Sequence, residues 1–588
     1  MEQRKEQKKE QRVYAAFGRG ARRDWKRAAR KTVFSHYWMA IMVCLVAAFL
    51  GTEFTGSLES LHFTRQKWDV ISNFLASFGR PGAAANSRGV FAIAVNKIAD
   101  GSLQNIVNNT IMSLAGSSEF WQSFGIVVSS LVSMTYWVLV PHTFVVILRR
   151  LFMEMRVYEE VPPYRALYLH SARCWGRTSL ALLRVAVQRG LWWLTIIGGA
   201  IKTFSYYLCG FILAENPTMK GGDAIALSRK MMNGHKWECF LLELSFVPWH
   251  LLSLATFGLS SLFYSSAYLS AARCEFYAAV RAQVKAEGEA QALRDTYLFE
   301  KAGAKTLRRA YNDLGRPAEK LPARVYGNRV TRFFGECLGV TLFVNPQDVA
   351  REKIQDREYR LRYMRRCEQG LSYPIRLSPL LQYEHKDHEP ALFTRKYPVT
   401  TLVLLFFLFS IIGWCWEVVL HLLSEGTFVN RGVLHGPWLP IYGTGGVLVL
   451  LALYKLRDKP WLEFWATVVV CGVVEYFTAY YLETVYDRRW WDYAGYFLNL
   501  HGRICAEGLL VFGLGGMAVV YGVAPLFDNL LHKVRHSVLI GLCAALITLF
   551  CVDQAYSHFH PNEGEGITDE VVYKTDDARI RLDEEAFV

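Results

Sequence analysis

Long apolar runs separated by polar and often basic segments dominate the pattern along the 588 residues of the chain. A helical run of about twenty apolar residues matches the roughly 30 Å hydrocarbon core of a bilayer. Many of the runs reach this length, and the first of them lies near 33–53. The pattern therefore predicts an all-α fold, a polytopic bundle of transmembrane helices.

Nine apolar runs are long enough to span. They lie near 33–53, 119–148, 190–214, 238–270, 398–422, 434–454, 462–484, 503–524 and 535–556. The longest polar stretch separates the fourth run from the fifth, so we expect two membrane domains joined by a linker. The predicted parts are a basic cytoplasmic interfacial segment at 1–32, a membrane domain of about four spans at 33–280, a basic cytoplasmic linker with helices at 281–397, a membrane domain of about five spans at 398–556 and an acidic extracytoplasmic tail at 557–588.

Basic residues gather in only some of the segments that flank the apolar runs. Arg149 and Arg150 follow the second run, Lys455 and Arg457 follow the sixth, and Lys533 follows the eighth. Cytoplasmic loops of membrane proteins are enriched in Lys and Arg, which accounts for the net charge of +14 without nucleic acid. We therefore expect a multi-pass protein of the cell (cytoplasmic) membrane with its N-terminus in the cytoplasm, the lipid bilayer as its surroundings and no nucleic-acid partner.

Two polar regions allow a more specific expectation. Residues 1–32 combine many Lys and Arg with Phe17 and Trp25, which is typical of an interfacial helix on an anionic leaflet. Charges alternate at helical spacing between Arg351 and Arg366 in the linker, which favours a solvated helix over a dedicated binding surface.

Motifs for metal, disulfide or enzymatic chemistry are absent from the sequence. The twelve cysteines stand singly without a CxxC pair, so we expect no metal site and no disulfide framework. The phosphate loop GxxxxGK[ST] does not occur, and neither do HExxH and GxSxG. The chain is therefore not itself an ATPase, its catalytic residues are unknown, and we expect no cofactor; whether it is an enzyme stays open, with a non-enzymatic role favoured.

Costly polar residues are concentrated between Gly413 and Glu507. A carboxylate or guanidinium inside a membrane helix costs about 2.5–3.5 kcal/mol on insertion scales, so such groups need partners, water or a task. The candidate substrate-binding residues are Glu417, Asn430, Arg431, Tyr442, Glu475, Glu483, Trp491, Asp492, Asn499, Arg503 and Glu507. The predicted topology brings most of them to the extracytoplasmic side.

Helical spacing predicts how some of these residues face one another. Glu475 and Glu483 would lie about 12 Å apart along a helix and within roughly 80° around it, so both can face one cavity. Arg503 and Glu507 are separated by the spacing at which helical residues pair. We therefore predict a polar site that opens to the extracytoplasmic side.

The C-terminal half follows the pattern of a known family. The residues that fit are Glu417, Phe428 to Gly432, Gly436-Pro437, Pro440 to Gly443, Glu475, Trp490 to Tyr493, Asn499 and Gly502-Arg503. On these residues, 398 to about 530 resemble the CmpB-like ABC-transporter type IV permease family. The resemblance implies a function in transport, with a separate ATP-binding subunit as partner and an unknown substrate.

The N-terminal half, to about residue 280, resembles a glycine-rich bacterial integral membrane family of unknown function. The resemblance is carried by Glu215-Asn216-Pro217, Asp223-Ala224-Ile225, Ser228, Met231-Met232-Asn233-Gly234, Ser245-Phe246 with Trp249, and Phe276-Tyr277. Val247-Pro248 stands where the family usually has Ile-Gly, so we expect Pro248 to bend the fourth span.

Three functions and one purely structural alternative stay open. The first is a transport permease component, supported by intramembrane charges and glycine-rich segments. The second is a membrane-embedded enzyme acting on lipid or cell-envelope substrates, with Glu417 or Glu475 as base and Arg431 or Arg503 binding phosphate. The third is a membrane assembly or sensor protein. In the structural alternative, the charged residues form interhelical ion pairs that only hold the bundle together.

Overall fold

The computed structural model describes residues 17, 19–50, 52–53, 135, 138–256, 258–286, 292–312, 314, 328–342, 346–379, 393–425, 429–486, 493, 498–560 and 562. Within these residues the fold is all-α, as the apolar pattern predicts, and strands are limited to one short parallel pair, β1 (Val340–Thr341) with β2 (Tyr397–Pro398).

The helices of the N-terminal part and of the linker are α1 (Arg19–Ser35), α2 (Tyr37–Phe49), α3 (Pro141–Val157), α4 (Tyr168–Ser171), α5 (Trp175–Trp193), α6 (Ile196–Ser205), α7 (Cys209–Glu215), α8 (Gly221–Met231), α9 (Lys236–Leu244), α10 (Val247–Ala255), α11 (Ser266–Ala286), α12 (Ala304–Ala310), α13 (Arg329–Phe333) and α14 (Pro346–Glu368). The helices of the C-terminal part are α15 (Val399–Glu425), α16 (Pro440–Ala452), α17 (Pro460–Tyr486), α18 (Ala506–Ala518), α19 (Ala524–Leu531) and α20 (His536–Phe559).

Several helical stretches of the described chain are long and apolar enough to cross a membrane, so the chain is a multi-pass membrane protein. The six are Ile196–Glu215, Lys236–Ala255, Val399–Val418, Pro460–Tyr481, Gly508–Leu531 and His536–Phe559. A seventh is obtained if α1 and α2, which are bent by 97° at their junction, count as one span. The expected number of nine is not confirmed, and most of the predicted run at 119–148 lies outside the described residues.

Two predicted spans have a different form in the structure. In place of the run at 434–454, α16 has 13 residues, a length of only about 20 Å. The run at 238–270 is interrupted after Leu244, and α10 begins at Val247 with Pro248 in its first turn. Proline lacks the N–H that would continue the preceding helix, so a new helix starts here.

Contacts between residues divide the described chain into two compact units. The first contains the described residues within 1–61, 131–324 and 346–390, and the second contains those within 325–345 and 391–588. The polar stretch between the two groups of apolar runs is therefore shared, because its residues 328–342 pack with the second unit.

In the first unit, α1 is an amphipathic helix whose apolar stripe faces α11. Ala21, Trp25, Ala29 and Val33 recur at four-residue spacing and are buried. Trp25 is 1% exposed and packs edge-on against Phe276, with ring centroids 5.5 Å apart. Trp25 therefore lies inside the protein rather than at the lipid headgroups, where the interfacial interpretation places it.

A buried ionic cluster joins four segments of the first unit. Arg150 binds Glu154 at 2.9 Å and Asp295 at 3.0 Å, and none of the three side chains is more than 1% exposed. Arg165 also donates to Glu154, at 2.9 Å, and the Tyr373 hydroxyl donates to Asp295 at 2.6 Å. Burial alone would raise the pKa of the Glu154 carboxyl, but Arg165 and Arg150 more than offset burial and hold that pKa below its ordinary value.

Further ion pairs tie α11 to the neighbouring helices. Arg281 donates to both carboxylate oxygens of Glu215, at 2.8 and 2.6 Å, and Tyr277 donates to the same carboxylate at 3.0 Å. Arg273 binds Glu243 in the same two-point manner, at 2.8 and 2.9 Å. Bidentate pairs of this kind fix orientation as well as distance, so they hold the neighbouring helices in place against α11.

Glycines set the close approach of helices in the second unit. A Cβ on Gly443 of α16 would lie 2.5 Å from the carbonyl oxygen of Phe406 on α15, and a Cβ on Gly413 would lie 2.6 Å from the Cβ of Tyr442. Neither position has room for a larger residue. The two helices therefore touch backbone to backbone, which brings the side chain of Tyr442 against α15.

We predict that removing Arg150 strongly destabilises the first unit. Arg150→Gln leaves Glu154 and Asp295 buried with one cation fewer, a change that costs about 3–5 kcal/mol in buried pairs. The free energy of unfolding, measured by denaturant titration in mild detergent, checks this value.

A matched control is Arg366→Gln, since Arg366 pairs with Glu160 at 3.1 Å while its side chain is 51% exposed. Exposed pairs contribute about 0–1 kcal/mol. Equal losses for the two variants would contradict the structural role assigned to Arg150.

Candidate functional site

Glu417 of α15 is the centre of a polar group formed with α16 and the loop before it. The Tyr442 hydroxyl donates to Glu417 Oε1 at 2.7 Å, and Arg431 Nη2 lies 3.6 Å from Glu417 Oε2. The side chains of Arg431 and Glu417 are 8% and 13% exposed. One turn of helix away, Trp414 Nε1 donates to Asn430 Oδ1 at 2.6 Å, so the loop residue next to Arg431 is also fixed to α15.

Asp553 of α20 holds the loop that carries these residues. Its carboxylate accepts from the backbone N–H groups of His435 and Gly436, at 3.1 and 3.0 Å, and from Trp438 Nε1 at 2.7 Å. Ser557, one turn later, donates to the same carboxylate at 3.2 Å. Three donors of the loop on one carboxylate define its path at 435–438.

Asn562, just beyond α20, binds the beginning of the same loop. Its side-chain amide donates to the carbonyls of Asn430 and Gly432, at 2.9 and 2.8 Å, and its backbone N–H donates to Val433 at 3.0 Å. The backbone on both sides of Arg431 is therefore anchored, which orients the guanidinium toward Glu417.

Glu475 on α17 is bound by a tyrosine from the following loop. The Tyr493 hydroxyl donates to Glu475 Oε1 at 3.0 Å, while Glu475 Oε2 is inaccessible and has no hydrogen-bond partner among the described residues. Burial first, and then the Glu475 carboxylate, raise the pKa of Tyr493 well above its ordinary value, so the phenol remains a donor. Tyr493 is held in turn by its backbone N–H, which donates to Gly502 at 2.7 Å.

Glu417 and Glu475 belong to one electrostatic group. Tyr442, which donates to Glu417, interacts electrostatically with Glu475 and with Tyr493. The structure thus brings together Glu417, Asn430, Arg431 and Tyr442, and Glu475 interacts with Tyr442 electrostatically.

Arg503 forms a second polar group on another face of α17. It donates to Glu483 Oε2 twice, at 3.0 and 2.7 Å, and to the Tyr476 hydroxyl at 3.0 Å. Tyr476 also bonds to His501 Nδ1 at 2.9 Å. The side chains of Arg503 and Glu483 are 14% and 30% exposed, so this pair is more open than the Glu417 group.

Arg503 is not part of the helix that contains Glu507, because α18 begins at Ala506 and Arg503 lies in the preceding turn, where it pairs with Glu483. The side chain of Glu507 is not described, so its pairing with Arg503 stays a prediction. The turn has positive φ at His501 and at Gly502, a conformation that a helix does not contain.

The remaining predicted residues have separate positions. Asn499 lies in the same turn, where its side chain accepts from the backbone N–H of Gly502 at 3.3 Å. Trp491 and Asp492 lie outside the described residues, and of Glu507 only the backbone, within α18, is described.

Sequence reasoning overlooked Asp553 and Glu463. Asp553 lies near the end of the most exposed apolar helix, and its partners come from a loop more than a hundred residues earlier, at His435 and Gly436. Glu463 lies in the first turn of α17, where an acidic residue suits a helix N-terminus and attracts no notice. A charge in an apolar run was the available signal for Asp553.

The chemistry of the group is that of a charged and hydrogen-bonded cluster. No set of three or more His, Cys, Asp and Glu in the part of the chain that the structure describes could hold a metal ion. A cavity of about 270 Å³ lies elsewhere in the second unit and has apolar walls, among them Val403, Phe406, Val447 and Phe550. The Glu417 group can bind a cation or proton at its carboxylates and an anion at Arg431.

Two separate parts of the chain match known families. Residues 404–558 match the family described as "Putative ABC-transporter type IV", and residues 29–284 match the family described as "Protein of unknown function (DUF975)". Both resemblances expected from the sequence are thereby confirmed. No curated protein and no solved structure matches the chain.

We predict that Asp553→Asn loosens the loop at 435–438. The new amide turns an N–H₂ group toward donors that need an acceptor, and each hydrogen bond to a charged group contributes about 1.5–3 kcal/mol. Hydrogen exchange of the amides of His435 and Gly436, followed by mass spectrometry, should accelerate by about 10- to 100-fold.

Thr548→Ala on the same helix is the control, because the Thr548 hydroxyl is exposed and returns to the carbonyl of Ala544 at 2.8 Å. Unchanged exchange in Asp553→Asn would mean that Asn562 alone holds the loop.

Proposed function

We propose that this protein is a transport permease component of the cytoplasmic membrane, and that the Glu417 group is its substrate site, open to the extracytoplasmic side. The family match over 404–558 supports a membrane transport component. The observation that carries the site is the convergence of Glu417, Arg431, Tyr442 and Glu475 from two helices, a short helix and an anchored loop.

The Arg503–Glu483 and Arg431–Glu417 ion pairs of the second unit differ in geometry. Arg503 donates two hydrogen bonds to Glu483, of 3.0 and 2.7 Å, and breaking both costs free energy. Arg431 Nη2 stands 3.6 Å from Glu417 Oε2, beyond hydrogen-bond distance. We assign binding to Glu417 and Arg431, where Tyr442 and an anchored loop meet α15, and bracing to Arg503 and Glu483.

Anchoring of the loop supports the same assignment. A substrate site requires side chains held in position before the substrate arrives, because ordering them on binding weakens affinity. Asp553 and Asn562 hold Arg431 in position in advance, because they fix the backbone on both sides of it. Tyr442 is fixed equally by the close approach of α15 and α16 at Gly413.

The sequence predicts a cytoplasmic N-terminus, and with that orientation the Glu417 group faces outward while the basic ends of the helices face the cytoplasm. A separate ATP-binding subunit would then dock on the cytoplasmic side. The transported substrate would carry an anionic group that binds Arg431 or a cationic group that binds the carboxylates.

We predict that the full chain, purified from its own membranes in mild detergent, carries an ATP-hydrolysing subunit with it. In lipid nanodiscs, Glu417→Gln and Arg431→Gln should lower ATP hydrolysis by about tenfold, the effect of losing one charge-assisted contact, while the subunit stays bound. Thr484→Ala is the control near the outer end of α17, since its exposed hydroxyl only returns to the Tyr480 carbonyl at 2.7 Å.

A chain that elutes without such a subunit and shows no nucleotide-dependent transport would exclude the ABC assignment. Full ATP hydrolysis in both site variants would leave the Glu417 group as a structural brace.

A further inference from the structure

Helix α17 carries a stripe of polar residues along one side of an apolar span. Glu463, Thr467, Cys471 and Glu475 recur at four-residue spacing between Pro460 and Tyr486. Residues four apart are neighbours on the surface of a helix. The stripe is about 18 Å long. It runs from Glu463, near the start of the span, to Glu475, which belongs to the Glu417 group.

Glu463 is buried without a bonded cation among the described residues. It is 0% exposed, its Oε1 accepts from the Thr467 hydroxyl at 2.9 Å, and its Oε2 is inaccessible and lacks a described partner. Arg457 interacts with it electrostatically, but the guanidinium donates to backbone carbonyls, among them those of Phe393 and Arg395. No ion pair would stabilise an ionised carboxylate in this position, so the neutral acid is favoured.

Glu475 repeats this environment twelve residues later. One oxygen accepts from a hydroxyl group, that of Tyr493, and the other is inaccessible and without a described partner. Among the residues that the structure describes, Tyr442 and Cys471 also interact with it electrostatically, and neither is a cation. Both carboxyls are therefore bound by a single neutral donor, in contrast to Glu483 on the same helix, which Arg503 holds as an ion pair.

The stripe meets α18 at Thr467. A Cβ on Gly516 would lie 2.5 Å from Thr467 Cγ2, and a Cβ on Gly513 would lie 2.5 Å from Phe464 Cε2. Close backbone approach shields this part of the stripe from lipid. Between the two carboxyls, Cys471 interacts electrostatically with both of them.

We propose that α17 carries protons, and that Glu463 and Glu475 are the groups that take them up and release them at the two ends of the stripe. The inference rests on the proposed transport function, to which it adds the proton as a coupled ion. In each exchange, the O–H bond of the carboxylic acid breaks, the proton passes to a water molecule, and a carboxylate remains until another proton returns.

The first experiment measures protonation directly. Infrared spectra of the full chain in lipid bilayers at neutral pH should show the C=O stretch of protonated carboxylic acid. Glu463→Gln and Glu475→Gln should each remove part of that band, since glutamine has no carboxyl, whereas Glu483→Gln should leave the band unchanged. A band that is absent, or that neither variant reduces, would overturn the proposal.

The second experiment measures proton movement. Vesicles containing the full chain and a trapped pH-sensitive dye receive an acid pulse outside. Wild-type vesicles should acidify at least about tenfold faster than vesicles with both glutamate substitutions, a ratio that corresponds to a 1.4 kcal/mol higher barrier. Equal rates in wild type and double variant would overturn the proposal. Thr467→Val, which removes the donor to Glu463 while retaining the carboxyl, provides a second variant if a glutamine variant does not fold.

The two proposals can fail independently. Proton movement that depends on both glutamates, without any effect of Glu417→Gln on ATP hydrolysis, would support the proposal of proton transfer along α17 and contradict the proposed substrate site. Lower ATP hydrolysis in Glu417→Gln without a protonated-acid band would support the substrate site and contradict proton transfer along α17.

Discussion

An ionised side chain among apolar helices must be neutralised, and this constraint determines how each unit is built. Isolated buried charges cost so much that they pair, bind a proton or do not occur. The first unit pairs its charges: Arg150 has carboxylates on both sides, and Arg281 holds Glu215 at two points. The second unit also contains ion pairs, such as that of Arg503 with Glu483, but neutral hydroxyl groups face Glu463 and Glu475.

Small residues let helices of the second unit approach closely enough for such polar contacts. A tyrosine hydroxyl reaches a carboxylate on a neighbouring helix only if the two backbones are close, and Gly413 provides that proximity for Tyr442. Gly516 does the same for the neighbourhood of Thr467. Glycine-rich segments in membrane helices are therefore part of the chemistry of the site, because they determine which donor stands opposite which acid.

The sequence predicted the residue types and the helical class better than the contacts. Apolar run length was sufficient for the all-α fold, and the cost of polar residues in a span was sufficient to select Glu417, Arg431 and Glu475. Arg503 was expected in a helix and lies in a turn, because the backbone at His501 and Gly502 has a conformation that helical spacing cannot represent. Asp553 escaped notice since its partners come from the distant loop at 435–438. Periodicity describes one helix at a time, and these contacts join segments that are far apart in sequence.

Three glutamates on α17 show why neighbours, rather than residue type, decide the role of a carboxyl. Glu463 faces a threonine hydroxyl, Glu475 faces a tyrosine hydroxyl, and Glu483 faces a guanidinium. A guanidinium stabilises the carboxylate and keeps it charged, which suits a brace. Burial favours the neutral acid and a donated hydroxyl hydrogen bond favours the carboxylate, so these opposing effects reduce the free-energy difference between the two forms. In our proposal, the same amino acid therefore holds the C-terminal end of α17 in place and, along the rest of the helix, provides the two groups whose charge can change.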